Sequence, residues 1–142
     1  MSPLDTNPPE RRSPAAETGA PPVAGSGRLA MGWKVREGTT RLATLDQRTP
    51  LRLFRPTVGD GEPPLAVVAN VSGGVVGGDR LAVEASLQPG AALAVTGQAA
   101  EKIYRAGGRP ARLDTRIVLD GDARRDWLPQ GTILFDDLRF AR

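Results

Sequence analysis

The sequence predicts an all-β protein: a layered, solenoid-like arrangement of short strands with at most one or two short helices. Apolar and polar residues alternate along several short runs, which is the period of a half-buried strand. Pro-Gly and Asp-Gly pairs separate these runs and are typical of turns. No segment keeps a helical period. The best helix candidate is Ala99–Arg105, yet its Ile103 and Tyr104 fit a strand equally well.

The N-terminal stretch differs from the rest in composition. Residues 1–28 contain six prolines, three glycines and a single β-branched aliphatic residue, Val23. Such a segment buries too little apolar surface to offset its ordering entropy. The sequence therefore predicts a disordered leader over 1–28 and a folded region over 29–142.

Strands are predicted in order along the folded region, and turns or loops separate them. Leu65–Val71 is continuously apolar, as expected of a strand covered on both faces, and Asp120-Gly121-Asp122 is typical of a hairpin turn. The predicted strands are Met31–Arg36, Thr39–Leu45, Leu51–Phe54, Leu65–Val71, Leu81–Leu87, Ala91–Thr96, Ala111–Leu119, Ala123–Leu128 and Thr132–Phe135.

A weak internal echo supports layering. Shifted by 32 residues, Val83, Ala85 and Leu87 overlay Thr115, Ile117 and Leu119. The same shift places Val95 on Trp127 and Gln98 on Gln130. Stacked strand–turn–strand units bury a face that a single unit cannot bury. The echo favours layered β structure over a closed barrel, although chance similarity between two hairpins is an open alternative.

The run Ser72–Asp79 holds four glycines in eight residues. A P-loop would need Lys and then Ser or Thr after the last glycine, whereas Asp79 and Arg80 stand there. A dinucleotide fingerprint would need a helix next, whereas the following residues alternate as a strand does. The run is therefore interpreted as a strand–turn–strand connection rather than a phosphate site.

The composition excludes several chemistries, because the chain has no His and no Cys. Imidazole-dependent triads, thiolate nucleophiles and zinc sites built on imidazole or thiolate are ruled out within this chain. The 19 basic residues are scattered among 16 acidic ones, which argues against nucleic-acid binding. Apolar runs are too short for a membrane span and no signal peptide is evident, so we expect a cytoplasmic protein.

Four blocks of the sequence resemble the urease accessory protein UreD family, which is called UreH in some bacteria. They are Ser72–Leu81, Thr96–Arg105, Asp126–Gln130 and Thr132–Asp136, and their order and spacing are similar to the family's. The resemblance covers roughly residues 29–142 and marks them as the N-terminal part of a UreD-like β domain. Because the family's members are longer, we expect this part alone to expose an unpaired sheet edge.

The resemblance implies a non-enzymatic scaffold. Such a protein binds apo-urease and docks accessory protein F, and through it the GTPase accessory protein G, to assist nickel insertion into urease. No tightly bound cofactor is implied, and nickel would be held only transiently. The alternative from the residues themselves is a carboxylate-based enzyme or a small-ligand-binding β protein that uses the glycine-rich loop.

The acids of the matched blocks are the candidates for a transient nickel path: Asp79, Glu101 and Asp126. Each has a plainer interpretation: a turn cap for Asp79, a solvated partner of Arg105 for Glu101, and an exposed strand position for Asp126. Trp127 fits either an interface anchor or the core. The other residues that carry the motifs are Gly73, Gly74, Gly77, Gly78, Gln98, Lys102, Tyr104, Pro129 and Gln130.

Overall fold

The fold is built from β-strands, which confirms the predicted class. The computed structural model describes residues 25–136 and 139–141, and no helix occurs among them. None of this described part could cross a membrane as a helix. The strands are β1 (Ser26–Arg36), β2 (Thr39–Arg48), β3 (Leu51–Phe54), β4 (Leu65–Asn70), β5 (Arg80–Leu87), β6 (Ala92–Gly97), β7 (Glu101–Ile103), β8 (Ala111–Leu119), β9 (Arg124–Leu128), β10 (Thr132–Leu134) and β11 (Phe140–Ala141).

Two sheets face each other and enclose the core. The five-stranded sheet has the order β11-β8-β5-β1-β2, and the four-stranded sheet has the order β3-β4-β6-β9. Strands β7 and β10 form a small parallel pair beside them. Apolar side chains from both sheets meet in the space between. Trp33 and Leu87 come from the five-stranded sheet, and Leu93 and Val95 from the four-stranded one.

The 32-residue spacing of the sequence echo equals the offset at which successive strands pair in both large sheets. In the five-stranded sheet β5 and β8 pair in parallel from Arg80↔Arg112 to Leu87↔Leu119. In the four-stranded sheet β6 and β9 pair in parallel from Ala92↔Arg124 to Thr96↔Leu128. The intervening turns stack as well, because a Cβ on Gly121 would lie 3.2 Å from Pro89. Each strand–turn–strand unit thus lies in register on the one before it.

The turn at Asp120–Asp122 corrects one prediction. It does not form a hairpin, since β8 and β9 belong to different sheets. The turn carries the chain across the core, and each strand then pairs with its counterpart in the preceding unit. The turn sequence alone cannot distinguish a hairpin from a crossing between sheets, because the strands that pair with β8 and β9 lie 32 residues earlier in the chain.

At the level of single strands, the structure contradicts one prediction and decides one alternative that the sequence left open. The strand over Leu65–Val71 is not covered on both faces: Ala66 and Ala69 are buried, whereas the other residues of β4 are half-buried. The sequence left helix and strand open over Ala99–Arg105, and the strand is the one observed, because Glu101–Ile103 forms β7. Parallel pairing with Thr132–Leu134 holds it extended, and local propensity gives way to these long-range hydrogen bonds.

The first strand begins earlier than the composition suggests. Ser26, Gly27 and Arg28, inside the stretch assigned to a leader, pair with the start of β5. Gly27 suits this position because a Cβ would lie 2.7 Å from the ring of Pro50. Backbone hydrogen bonds between strands do not require apolar side chains. A boundary predicted from composition, at residue 29, therefore falls after the true start of β1. The rest of the predicted leader, residues 1–24, lies outside the described residues.

The outward faces of the two sheets differ in chemistry. Across the four-stranded sheet one row is mostly apolar, and it runs from Phe54 through Val67 and Thr96 to Leu128. The outward face of the five-stranded sheet is charged instead. Its basic residues outnumber its acids: Arg28, Lys34, Arg36, Arg41, Arg48, Arg80, Arg112 and Arg116 against Asp46, Glu84 and Asp114.

Candidate functional site

The glycine-rich run forms the connection between β4 and β5, as predicted. Strand β5 follows directly at Arg80, and no helix begins at the glycines. The amides of this turn are therefore not aligned by a helix dipole toward a phosphate. The structure gives the nucleotide interpretation no support at this position.

Asp79 holds this turn together from inside the protein. Only 6% of its surface is exposed. Its Oδ1 accepts the Gly25 N–H at 2.7 Å, and its Oδ2 accepts the Val76 N–H at 2.9 Å. Its backbone carbonyl accepts the Arg112 N–H at 2.8 Å. One residue thus joins the chain before β1, the glycine turn and β8, in the manner of a buried turn cap.

The glycines of the run serve two different purposes. Gly73 has a φ of +86° and open space around its Cα, so it is needed for its backbone conformation. Gly77 is needed for proximity, because a Cβ there would overlap the carbonyl group of Ala106. Gly74 combines both, with a φ of +152° and the Tyr104 ring against its Cα.

The second matched block is joined to the glycine run by backbone hydrogen bonds. Val75 N–H donates to the Lys102 carbonyl at 2.7 Å, and Tyr104 N–H donates to the Val75 carbonyl at 2.8 Å. Tyr104 also stacks on Phe135, with ring centroids 4.9 Å apart. Three of the blocks that stand apart in sequence therefore pack together beside the start of β5.

Asn70 links this assembly to Glu101. Its Nδ2 donates to Glu101 Oε1 at 3.0 Å and lies 3.3 Å from the Gly74 carbonyl oxygen. Its Oδ1 accepts the Ser72 N–H at 3.0 Å and lies 2.6 Å from the Ser72 hydroxyl. The Glu101 carboxylate is thereby oriented by a half-buried amide that is itself fixed by the turn.

The third matched block, Asp126–Gln130, lies beside Thr96 and the start of β7. Thr96 Oγ1 donates to the Leu128 carbonyl at 2.8 Å, and Gln130 Nε2 donates to Thr96 Oγ1 at 3.2 Å. Glu101 N–H donates to the Gly131 carbonyl at 3.0 Å, so the segment after Pro129 lies against β7. Pro129 follows the end of β9, where it cannot donate a ladder hydrogen bond.

A cavity of about 290 Å³ lies between the sheets at this end of the core. Its walls are apolar and include Leu51, Val68, Leu81 and Ile103. Polar residues also line it, and we call six of them the cavity rim: Asn70, Thr96, Gln98, Glu101, Lys102 and Gln130. Glu101 is the one carboxylate among the residues that line this cavity. A carboxylate is a hard oxygen ligand that suits weak, exchanging contact with a divalent cation, and the Asn70 Nδ2 that faces Glu101 is a hydrogen-bond donor rather than a ligand.

The three acids predicted for a nickel path do not converge. Glu101 borders the cavity, Asp79 is bonded to backbone amides in the glycine turn, and Asp126 is exposed on β9. Among the residues that the structure describes, no three Asp or Glu side chains are grouped closely enough to hold a metal ion. Whether any of the three contacts nickel stays a prediction.

Other candidates fall at informative positions. Trp127 is half-buried, packs against the core and borders the cavity, which fits the core interpretation, whereas a role as an interface anchor stays a prediction. Sequence reasoning did not single out Asn70 or Thr96. The sequence signal that could have identified them is their position: both are polar residues at or near the end of an apolar strand, in or next to a matched block.

Two comparisons with known proteins, one with family models and one with curated sequences, identify the same family. The family described as UreD urease accessory protein matches residues 25–142. Proteins named urease accessory protein UreD are similar over most of the chain: 44% identity over 116 residues in Xanthobacter autotrophicus, 40% over 116 in Magnetococcus marinus and 41% over 112 in Nostoc punctiforme. These alignments cover 82%, 82% and 78% of this chain, and 39%, 40% and 40% of the respective relatives. The chain thus spans about two fifths of the length of the relatives it matches.

Proposed function

We propose that this chain, which belongs to the UreD urease accessory protein family, acts as a non-catalytic scaffold in urease maturation. It would bind apo-urease together with accessory protein F, and through it the GTPase accessory protein G. GTP hydrolysis would belong to G, and the scaffold would assist nickel insertion in the cytoplasm. Family membership is the observation that carries this proposal.

The architecture supports a scaffold rather than an active centre. Stacked strands in register present broad, fixed faces, which suits the docking of other proteins. The chain contains no His or Cys for nucleophilic or imidazole-based catalysis. No specific observation favours the carboxylate-enzyme alternative, since the described acids do not form a positioned pair in the cavity.

The cavity rim is where we place contact with nickel as cargo. Glu101 is oriented by Asn70 at 3.0 Å and stands at the border of a space large enough for a hydrated ion. A single carboxylate holds a borderline metal weakly, which suits passage rather than storage. Asp79 and Asp126 lie away from the cavity lining, so Glu101 is the residue we assign to this contact.

Co-purification tests the scaffold function. The tagged chain is co-expressed with apo-urease and accessory proteins F and G, and the retained proteins are identified under mild conditions. We expect apo-urease and protein F to be retained, and protein G to be retained only when F is present. Retention of neither apo-urease nor F by a folded chain would contradict the proposal.

A further inference from the structure

We infer that the outward face of the five-stranded sheet is a docking surface for an acidic protein surface. The inference rests on the proposed scaffold function and assigns one face of the molecule to it. The face is formed by β2, β1, β5 and β8, whose outward residues include eight basic and three acidic side chains. The whole chain carries a net charge of only +3. This face therefore holds a local excess of positive charge that the overall composition conceals.

The acids on this face are already engaged. Glu84 lies 3.2 Å and Asp46 lies 3.9 Å from the guanidinium of Arg28. Asp114 lies 2.8 Å from Arg112. These contacts hold Arg28 and Arg112 in place, whereas Arg80 and Arg116 are exposed and available to a partner's carboxylates. Charge complementarity of this kind steers association and fixes its orientation.

The shape of the face suits a protein partner. A trough of about 350 Å³ crosses it, with Ala30 and Ser86 among the small residues that line it. Thr44 and Asp46 border the trough on β2, and Arg116 and Val118 border it on β8. Small residues let a partner approach the backbone of the sheet, and the charged border can be matched by the partner's own side chains.

The same features argue against a nucleic acid as the occupant. The three carboxylates interrupt the arginine rows, so the face lacks the continuous basic stripe that follows a nucleic-acid backbone. In β1, β2, β5 and β8, which are described throughout, the one aromatic residue is Trp33, and it is buried in the core. The face therefore has no aromatic platform on which bases could stack.

A charge-reversal experiment tests the surface. The double variant Arg80→Glu with Arg116→Glu is compared with a matched control, Arg55→Glu with Arg124→Glu, whose exposed arginines are attached to the four-stranded sheet. The probes are purified apo-urease and accessory protein F, and affinity is measured at two salt concentrations. We expect the first variant to weaken binding of at least one probe by about tenfold or more, chiefly at low salt, while the control stays near wild type.

A second variant probes the trough without changing charge. Ala30→Phe fills the trough beside Asp46 and Glu84, and we expect it to weaken the same interaction. Thermal unfolding identifies any variant that fails to fold. If the charge-reversal variant fails to fold, the neutral pair Arg80→Gln with Arg116→Gln replaces it.

The outcomes separate this inference from the proposed function. Wild-type binding that neither folded variant weakens would overturn the docking surface and leave the scaffold function standing. A wild-type chain that binds neither probe would overturn the scaffold function itself. Tighter binding of a duplex DNA fragment than of either protein, lost in the same arginine variant, would assign the face to nucleic acid and overturn the inference.

Discussion

The glycine turn and the cavity rim lie side by side, yet they use polar groups in opposite ways. In the turn, the oxygens of Asp79 are bonded to backbone amides, and Gly77 packs directly against the backbone of Ala106. At the rim, Glu101 and its polar neighbours border about 290 Å³ of open space. The most conspicuous motif of the sequence therefore fixes backbone geometry, and the adjoining, less conspicuous residues border the cavity where we propose contact with nickel.

The largest expected effect separates two glycines of the same run. Gly77→Ala puts a Cβ onto the Ala106 carbonyl group, where backbone rather than a movable side chain would have to give way. We expect this variant to lose about 3 kcal/mol or more of unfolding free energy, or to fail to fold. Urea denaturation followed by circular dichroism measures the loss.

Gly73→Ala is the matched control for that variant. Its Cβ would meet no atom within 4 Å, so the cost comes from a φ of +86° alone. We expect about 1 kcal/mol, the usual penalty for a side chain in that conformation. Equal losses of unfolding free energy in the two variants would contradict the claim that Gly77 is required for close packing.

The next effect tests whether Asp79 is structural. Asp79→Ala removes the acceptors of the Gly25 and Val76 N–H groups inside the protein. We expect a loss of about 3 kcal/mol of unfolding free energy, because buried donors left without partners are costly. Asp126→Ala, at an exposed position on β9, should change stability by no more than about 0.5 kcal/mol. A stable Asp79→Ala variant would contradict the role of turn cap.

Much of the fold could be predicted from local pattern. Alternation gave the bounds of Ala111–Leu119, and the echo between Val83–Leu87 and Thr115–Leu119 matches the observed register. This succeeds because stacked units repeat the same side-chain demands at a fixed spacing.

The failures share a physical cause. Partners distant in sequence decided three features: the choice between helix and strand at Ala99–Arg105, the fate of the hairpin predicted at Asp120–Asp122, and the early start of β1. The candidate site was predicted less well than the fold. Glu101 was named, but its orientation depends on Asn70, which is 31 residues away, and no spacing rule connects the two.

The most direct test of function is a variant that we expect to change stability only slightly. Glu101→Gln keeps the shape of the side chain at the cavity and removes its charge, so we expect unfolding free energy to change by less than about 1 kcal/mol. Asp126→Asn is the control, since it also removes one carboxylate of a matched block but lies away from the cavity.

The decisive measurement is the nickel content of urease matured with each variant. Apo-urease and accessory proteins F and G are co-expressed with wild-type, Glu101→Gln or Asp126→Asn chain, and nickel per purified urease is determined by mass spectrometry. We expect urease to contain clearly less nickel with Glu101→Gln and a wild-type amount with Asp126→Asn, at unchanged retention of partners. Full nickel loading with a folded Glu101→Gln chain would contradict the assignment of the cavity rim to nickel transfer.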